Sequence, residues 1–399
     1  KEQGNKINIT GIPQTTFMKD IKNQWGTTKL KNMFQLQFHF GRGQLMSFHK
    51  FFLPDFLYVI NQLPNRRTYQ LVTELIYENT YLKKLNEPIQ ENINLTTMQN
   101  ELQFELKDYQ LEFIKKYDQI KQRYSLKGYL LAFDTGLGKS LCSIALMIAL
   151  GKEKIIVLTP NNVVYEFAGE INKFCKTPQK IWTKEKPISN AKWFIINYES
   201  MPKLLSLKEL KSGNIGIIID EIHYFRSANA ERVKYAEMIA KYTQSVDILT
   251  MSGTPIKQAP AELIPLLKLL DPYFDEEAEQ IFKKAFGVNT MQLADIVRHR
   301  LGMMMYRKTK EEVLDLPEKH EENIMVKIPN GENYTLKKVQ QEVKKFVEER
   351  KKYYDQSTKQ FEQDYLAGLK YFTSTSQFNK SNYNKYLNIV EAIKKKKYG

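Results

Sequence analysis

Tyr129-Leu130-Leu131-Ala132-Phe133-Asp134-Thr135-Gly136-Leu137-Gly138-Lys139-Ser140-Leu141-Cys142-Ser143-Ile144-Ala145-Leu146 passes from an apolar run of strand length, through a turn with two glycines, into an apolar run of helix length. Glycines let successive backbone N–H groups turn inward around an anion. A helix opening near Lys139 would aim its positive end at the same point. On this reading Asp134, Thr135, Gly136, Leu137, Gly138, Lys139 and Ser140 form a phosphate loop. Lys139 would reach the β- and γ-phosphates, and the Ser140 hydroxyl would ligate magnesium. The strict pattern asks for glycine where Phe133 stands. The competing reading is a glycine-rich turn that binds nothing.

Working outward, short apolar runs recur at Ile155–Leu158, Trp193–Ile196, Ile215–Ile219 and Asp247–Met251, with helical segments such as Val233–Tyr242 between them. Buried strands alternating with helices predict an α/β fold, a parallel sheet with helices on both faces. Ligands in such sheets bind beyond the carboxyl ends of the strands. Ile215–Ile219 is followed there by Asp220-Glu221-Ile222-His223. Two acids at the tip of a buried strand are costly unless they serve a cation or a substrate. Asp220 could hold magnesium, usually through water. Glu221 could orient and deprotonate an attacking water, and His223 could couple this site to its neighbour. For an isolated Asp-Glu pair, helix capping would be the simpler explanation. Together with the phosphate loop, the pair points to nucleotide hydrolysis.

The 399 residues allow two or three domains. Residues 1–100 read as a small mixed α/β accessory domain: Phe34–Phe40 alternates like a strand, and Tyr69–Leu85 has helical spacing. His39 and His49 flank a Gly-Arg-Gly turn and read as ordinary residues rather than metal ligands. Residues 101–320 hold the sheet and its motifs. In 321–399 the alternation stops; Leu336, Val339, Val343, Phe346 and Val347 repeat at helical spacing in a charged segment. Only Cys142 and Cys175 occur, which fits a reducing compartment, cytoplasmic or nuclear, and argues against a disulfide framework or a zinc site. No signal peptide and no run long enough to span a bilayer is evident. A net charge of +15 favours polyanionic partners.

Taken in order, the motifs resemble those of superfamily-two helicases, and among them the Swi/Snf-like DNA translocases. Leu106–Glu112, with Tyr109 and Gln110, resembles the family's adenine-reading motif. Asp134–Ser140 resembles its phosphate loop. Leu158-Thr159-Pro160, Ile196-Asn197-Tyr198-Glu199 and Asp220–His223 resemble two nucleic-acid-contacting motifs and the acidic box. Thr250-Met251-Ser252-Gly253-Thr254-Pro255 resembles the motif coupling ATP to movement, and Tyr306–Val313 with Leu316-Pro317-Glu318-Lys319 resembles the segment leading out of the first lobe. Ser-Gly-Thr-Pro and that exit segment separate this group from RNA helicases of the DEAD type.

The resemblance implies a RecA-like first lobe that binds ATP and Mg2+ and tracks along duplex DNA by sequence-independent phosphate contacts. His223, Ser252, Gly253 and Thr254 would couple the sites. Pro160, Asn161, Tyr198 and Ser252 would meet DNA, with Arg226 and Lys257 adding charge. It also implies a second lobe carrying an arginine finger, which residues 320–399 are too short to hold. This stretch alone is therefore expected to bind ATP but hydrolyse it poorly. A nucleotide-dependent nucleic-acid-binding module without turnover, and the motor part of a repair or restriction enzyme, remain alternatives.

Overall fold

Branched aliphatic side chains crowd a helix but fit a sheet covered on both faces. Ile215–Ile219 accordingly forms a strand in which every residue is buried. The computed structural model describes residues 2–10, 12, 14–26, 30–34, 36–37, 45–211, 213–225, 231–253, 260–286 and 293–313. The helical spacing from Leu336 onward, Leu316–Lys319, His39, Arg226, Lys257 and Thr254 lie outside them.

The chain begins with β1 (Glu2–Gln3), β2 (Lys6–Thr10), α1 (Gln14–Trp25), α2 (Leu30–Phe34), β3 (Leu36–Gln37), β4 (Leu45–His49), α3 (Leu53–Gln62) and α4 (Arg67–Asn79). The strands form an antiparallel sheet in the order β1-β2-β4-β3. The strand expected over Phe34–Phe40 is corrected: Phe34 closes α2, buried against Phe17, Phe48 and Phe56, and within the described residues the strand is only Leu36–Gln37. Aromatic packing, which alternation does not report, surrounds Phe34 at the end of α2.

There follow α5 (Leu95–Glu101), α6 (Asp108–Tyr124), β5 (Gly128–Phe133), α7 (Lys139–Ala149), β6 (Lys154–Thr159), α8 (Val164–Phe174), β7 (Ile181–Thr183), β8 (Trp193–Asn197), β9 (Ile215–Ile219), α9 (Glu231–Thr243) and β10 (Asp247–Met251). The last elements are α10 (Ile264–Leu270), α11 (Glu276–Phe286), α12 (Ala294–Met304), β11 (Met305–Lys308) and α13 (Lys310–Val313). The strands β5 to β11 form a seven-stranded sheet in the order β11-β5-β10-β9-β6-β8-β7, parallel throughout. This is the RecA-like α/β arrangement. Because all strands run one way, the segments after β5, β10, β9, β6 and β8 meet along one edge.

Period-two alternation assigns the sheet's two faces. Tyr129, Leu131 and Phe133 of β5 join one core with α6, α7 and α8, and Leu130 and Ala132 join the other. That second core continues through α9, α10 and α12 into the aromatic cluster of residues 1–100. Residues 1–316 thus make one compact unit.

A buried charge cluster joins the small sheet's neighbourhood to α12. Arg300 Nε donates to Asp55 Oδ1 at 3.2 Å and Nη2 donates to Asp55 Oδ2, while Asp271 Oδ2 lies 3.5 Å from Nη1. The guanidinium also stacks 4.1 Å from the Phe51 ring centroid. Two carboxyls share one cation here. Burial pushes the Asp271 carboxyl up to about 6, against the pull of Arg300. A carboxyl raised in the folded state favours folding below its unfolded value, and that contribution is lost as pH rises through 6. Asp271→Asn keeps an oxygen for the Tyr273 N–H, 2.9 Å away in the native chain. The variant is expected to gain on the parent by roughly 2–3 kcal/mol as pH goes from 4 to 7, read from denaturant midpoints. A difference independent of pH would show Asp271 ionised throughout.

Candidate functional site: a phosphate loop and an acidic box on one edge of the sheet

The loop after β5 is shaped by its neighbours. Gly138 has φ +82°, and a Cβ there would stand 2.5 Å from Gln110 Nε2, so both conformation and space require glycine. Gln110 itself is buried. Its Nε2 donates to Leu137 O at 3.0 Å and its Oε1 accepts from Lys107 N at 3.0 Å, capping α6. The Tyr109 hydroxyl donates to the same Leu137 carbonyl at 3.2 Å. Tyr109 and Gln110 thus brace the phosphate loop from α6.

Phe133, the residue that breaks the strict pattern, is fully buried against Tyr109, Phe113 and Tyr306. Its backbone remains in the loop: Phe133 O accepts from Lys139 Nζ at 3.1 Å. Its ring is a core residue, so the substitution leaves the loop backbone intact. Thr135 and Gly136 are exposed, and Asp134 and Ser140 are half-buried at the loop's two ends.

The acidic box stands two strands away. Thr159 Oγ1, ending β6, donates to Asp220 Oδ2 at 3.2 Å. Burial and the neighbouring Glu221 push the Asp220 carboxyl up to about 6, while Thr159 and Lys139 pull it down. Glu221 has φ +47°, a left-handed conformation unusual for a non-glycine residue. Its Oε2 lies 2.9 Å from His223 Nδ1, which is also 3.3 Å from Ser252 Oγ. His223 therefore bridges the acidic box to the segment after β10. From that segment Gly253 faces the phosphate loop: a Cβ on it would meet Thr135 Oγ1 at 3.6 Å and Lys139 Nζ at 3.7 Å.

Two of the four residues expected to meet DNA are buried in this structure. Tyr198 is 3 % exposed; its hydroxyl donates to Asp220 O, and Phe225 packs on its ring. Ser252 is wholly buried beneath His223. Both side chains pack within the acidic box, against Asp220 and His223. Asn161 is exposed, its Oδ1 accepting from Asn197 Nδ2 at 3.0 Å, and Pro160 is half-buried beside it. His49 is a satisfied core histidine: Nδ1 accepts from Phe51 N, and Nε2 lies 3.1 Å from Asp275 Oδ2.

Thr159, Lys308 and Lys310 join the site without having been singled out as site residues. Thr159 could have been found from its place at a strand end beside Asp220. The other two contact the loop across a long chain separation: Asp134 N donates to Lys308 O at 3.1 Å, and Lys310 N donates to Asp134 Oδ2 at 3.1 Å.

No group of three or more His, Cys, Asp or Glu side chains suited to a metal occurs among the described residues. The residues present still fit a divalent ion held largely by water and phosphate. Asp220 is a buried carboxyl beside a second acid, and added positive charge would relieve the pair.

Among the described residues, no helix is long and apolar enough to cross a membrane. The profile of the SNF2-related domain matches residues 109–387. A Caenorhabditis elegans protein, the SWI/SNF-related matrix-associated actin-dependent regulator of chromatin subfamily A-like protein 1 homolog, is 29% identical over 223 residues, covering 50% of this chain and 31% of its own length. Human DNA annealing helicase and endonuclease ZRANB3 is 25% identical over 234 residues, covering 51% of this chain and 21% of its own. The solved Sulfolobus solfataricus SWI2/SNF2 ATPase core in complex with dsDNA is 21% identical with a TM-score of 0.42, over 58% of this chain and 49% of that one. The chain spans about a third or less of these curated relatives' length.

Proposed function

The chain belongs to the SNF2-related family, and on that premise we propose that it supplies the ATP-binding lobe of a motor that hydrolyses ATP and tracks along duplex DNA. The observation that carries this reading is convergence. Lys139, Ser252 and the Asp220–Glu221 pair follow β5, β10 and β9, three adjacent strands, and His223 ties Glu221 to Ser252.

In this reading the loop Asp134–Ser140 wraps the phosphates and Lys139 leaves Phe133 O for them. Ser140 and Asp220 would hold Mg2+, and the ion would supply positive charge to offset that on the phosphates. Glu221 accepts the proton of the attacking water. His223 senses that change and passes it to Ser252 and Gly253. Tyr109 and Gln110, bonded to Leu137 O, would read the adenine. Asn161 and Pro160 meet DNA phosphates from the end of β6, and the net charge of +15 favours that encounter. A second RecA-like lobe completes the ATP site with an arginine. The name of the human relative, a DNA annealing helicase, agrees with a DNA substrate.

ATP-driven displacement of a third strand from duplex DNA, by the longest natural chain containing these residues, tests the tracking. Displacement that requires ATP hydrolysis is the expected result. ATP-dependent DNA binding without displacement would favour the module without turnover.

A further inference from the structure

The exit segment returns to the phosphate loop. β11 pairs with β5 at the sheet's edge, with Lys308 opposite Phe133. Beyond it, the main-chain N–H of Lys310 is fixed by Asp134 Oδ2 at 3.1 Å, and Thr309 N donates to Glu312 Oε2 at 2.7 Å. These bonds pin the backbone of Lys310 to the first residue of the loop. Its side chain then runs across the loop's exposed middle: a Cβ on Gly136 would lie 3.8 Å from Lys310 Cε and 4.0 Å from Nζ. Tyr306, four residues earlier, anchors the same segment, its hydroxyl donating to Glu112 Oε2 at 2.7 Å.

We infer that Lys310 is a second phosphate-binding cation of the nucleotide site, supplied by the segment that leads out of the lobe. The inference rests on reading Asp134–Ser140 as a phosphate loop. Among the described residues, no ion pair engages the Lys310 ammonium. An ammonium held by its backbone over a glycine-rich loop, with its charge unspent, suits an incoming polyphosphate. Lysine is a compact point charge on a flexible stem, and needs no fixed geometry to follow phosphate oxygens. The arrangement also links the nucleotide to the exit segment: engaging phosphate would draw α13 onto the loop.

The test is equilibrium binding of ATP and of adenosine to the whole chain, the Lys310→Ala variant and the Lys139→Ala variant. Lys310→Ala is expected to weaken ATP about tenfold, as loss of one charge-assisted contact does, and to leave adenosine and the melting temperature unchanged. The dependence of ATP affinity on salt should also flatten. The inference is overturned if Lys310→Ala binds ATP like the parent while Lys139→Ala does not, or if it weakens ATP and adenosine equally. ATP affinity untouched by Lys139→Ala would instead sink the phosphate-loop reading on which it stands.

Discussion

Lys139→Ala is expected to lower affinity for Mg·ATP by roughly 100-fold or more, because the lysine makes charge-assisted contacts to phosphate worth several kcal/mol together. Its ammonium donates to Phe133 O at 3.1 Å, and the residue is only half-buried. Truncation therefore removes a ligand contact and, within the protein, the hydrogen bond to Phe133 O. The melting temperature without nucleotide should hardly move, and the stabilisation that ATP confers on the parent should vanish. Titration calorimetry and thermal unfolding together separate loss of binding from loss of fold. An unchanged affinity would mean that the loop does not hold phosphate.

Glu221→Gln should show the opposite pattern, with binding retained and turnover lost. A positioned general base contributes roughly 10²–10⁴ in rate. Glutamine is isosteric, and its carbonyl oxygen can still accept from His223 Nδ1, now 2.9 Å from Glu221 Oε2. The left-handed backbone at Glu221 is equally open to glutamine. Turnover in the longest natural chain should thus fall by about those factors with ATP affinity kept within a few-fold. Comparable losses of binding and turnover would reassign Glu221 to structure.

These expectations lean on parts of the site that are local in the chain. Asp134–Ser140 and Asp220–His223 each fit within one strand end and turn, so their chemistry can be read from consecutive residues. The strands beneath them were legible for the same reason: Ile215–Ile219 and Trp193–Ile196 are unbroken, fully buried runs of strand length. The edge strands were not. Ile181–Thr183 has three residues, followed by Lys184, and Met305–Lys308 is partly exposed, so neither carries a continuous apolar signal.

Side-chain exposure was the second thing the sequence could not express. Tyr198 and Ser252 follow strands in positions that suggest a surface, yet Tyr198 turns under Asp220 and Ser252 under His223. Lys310 presented the reverse case. Its motif, Tyr306–Val313, reads in sequence only as an exit segment, and it is the pairing of β11 with β5 that brings it to Asp134. Gln110 also gained a role, since its amide spans the α6 cap and the loop carbonyl at Leu137.

A DNA-driven motor is the role proposed for the phosphate loop and the acidic box. Its most direct test is the steady-state ATPase rate of the longest natural chain containing these residues, measured with and without duplex DNA beside its Glu221→Gln variant. A low basal rate, strong stimulation by duplex DNA of any sequence, and almost no turnover by the variant under either condition are expected. Equal rates with and without DNA would contradict it.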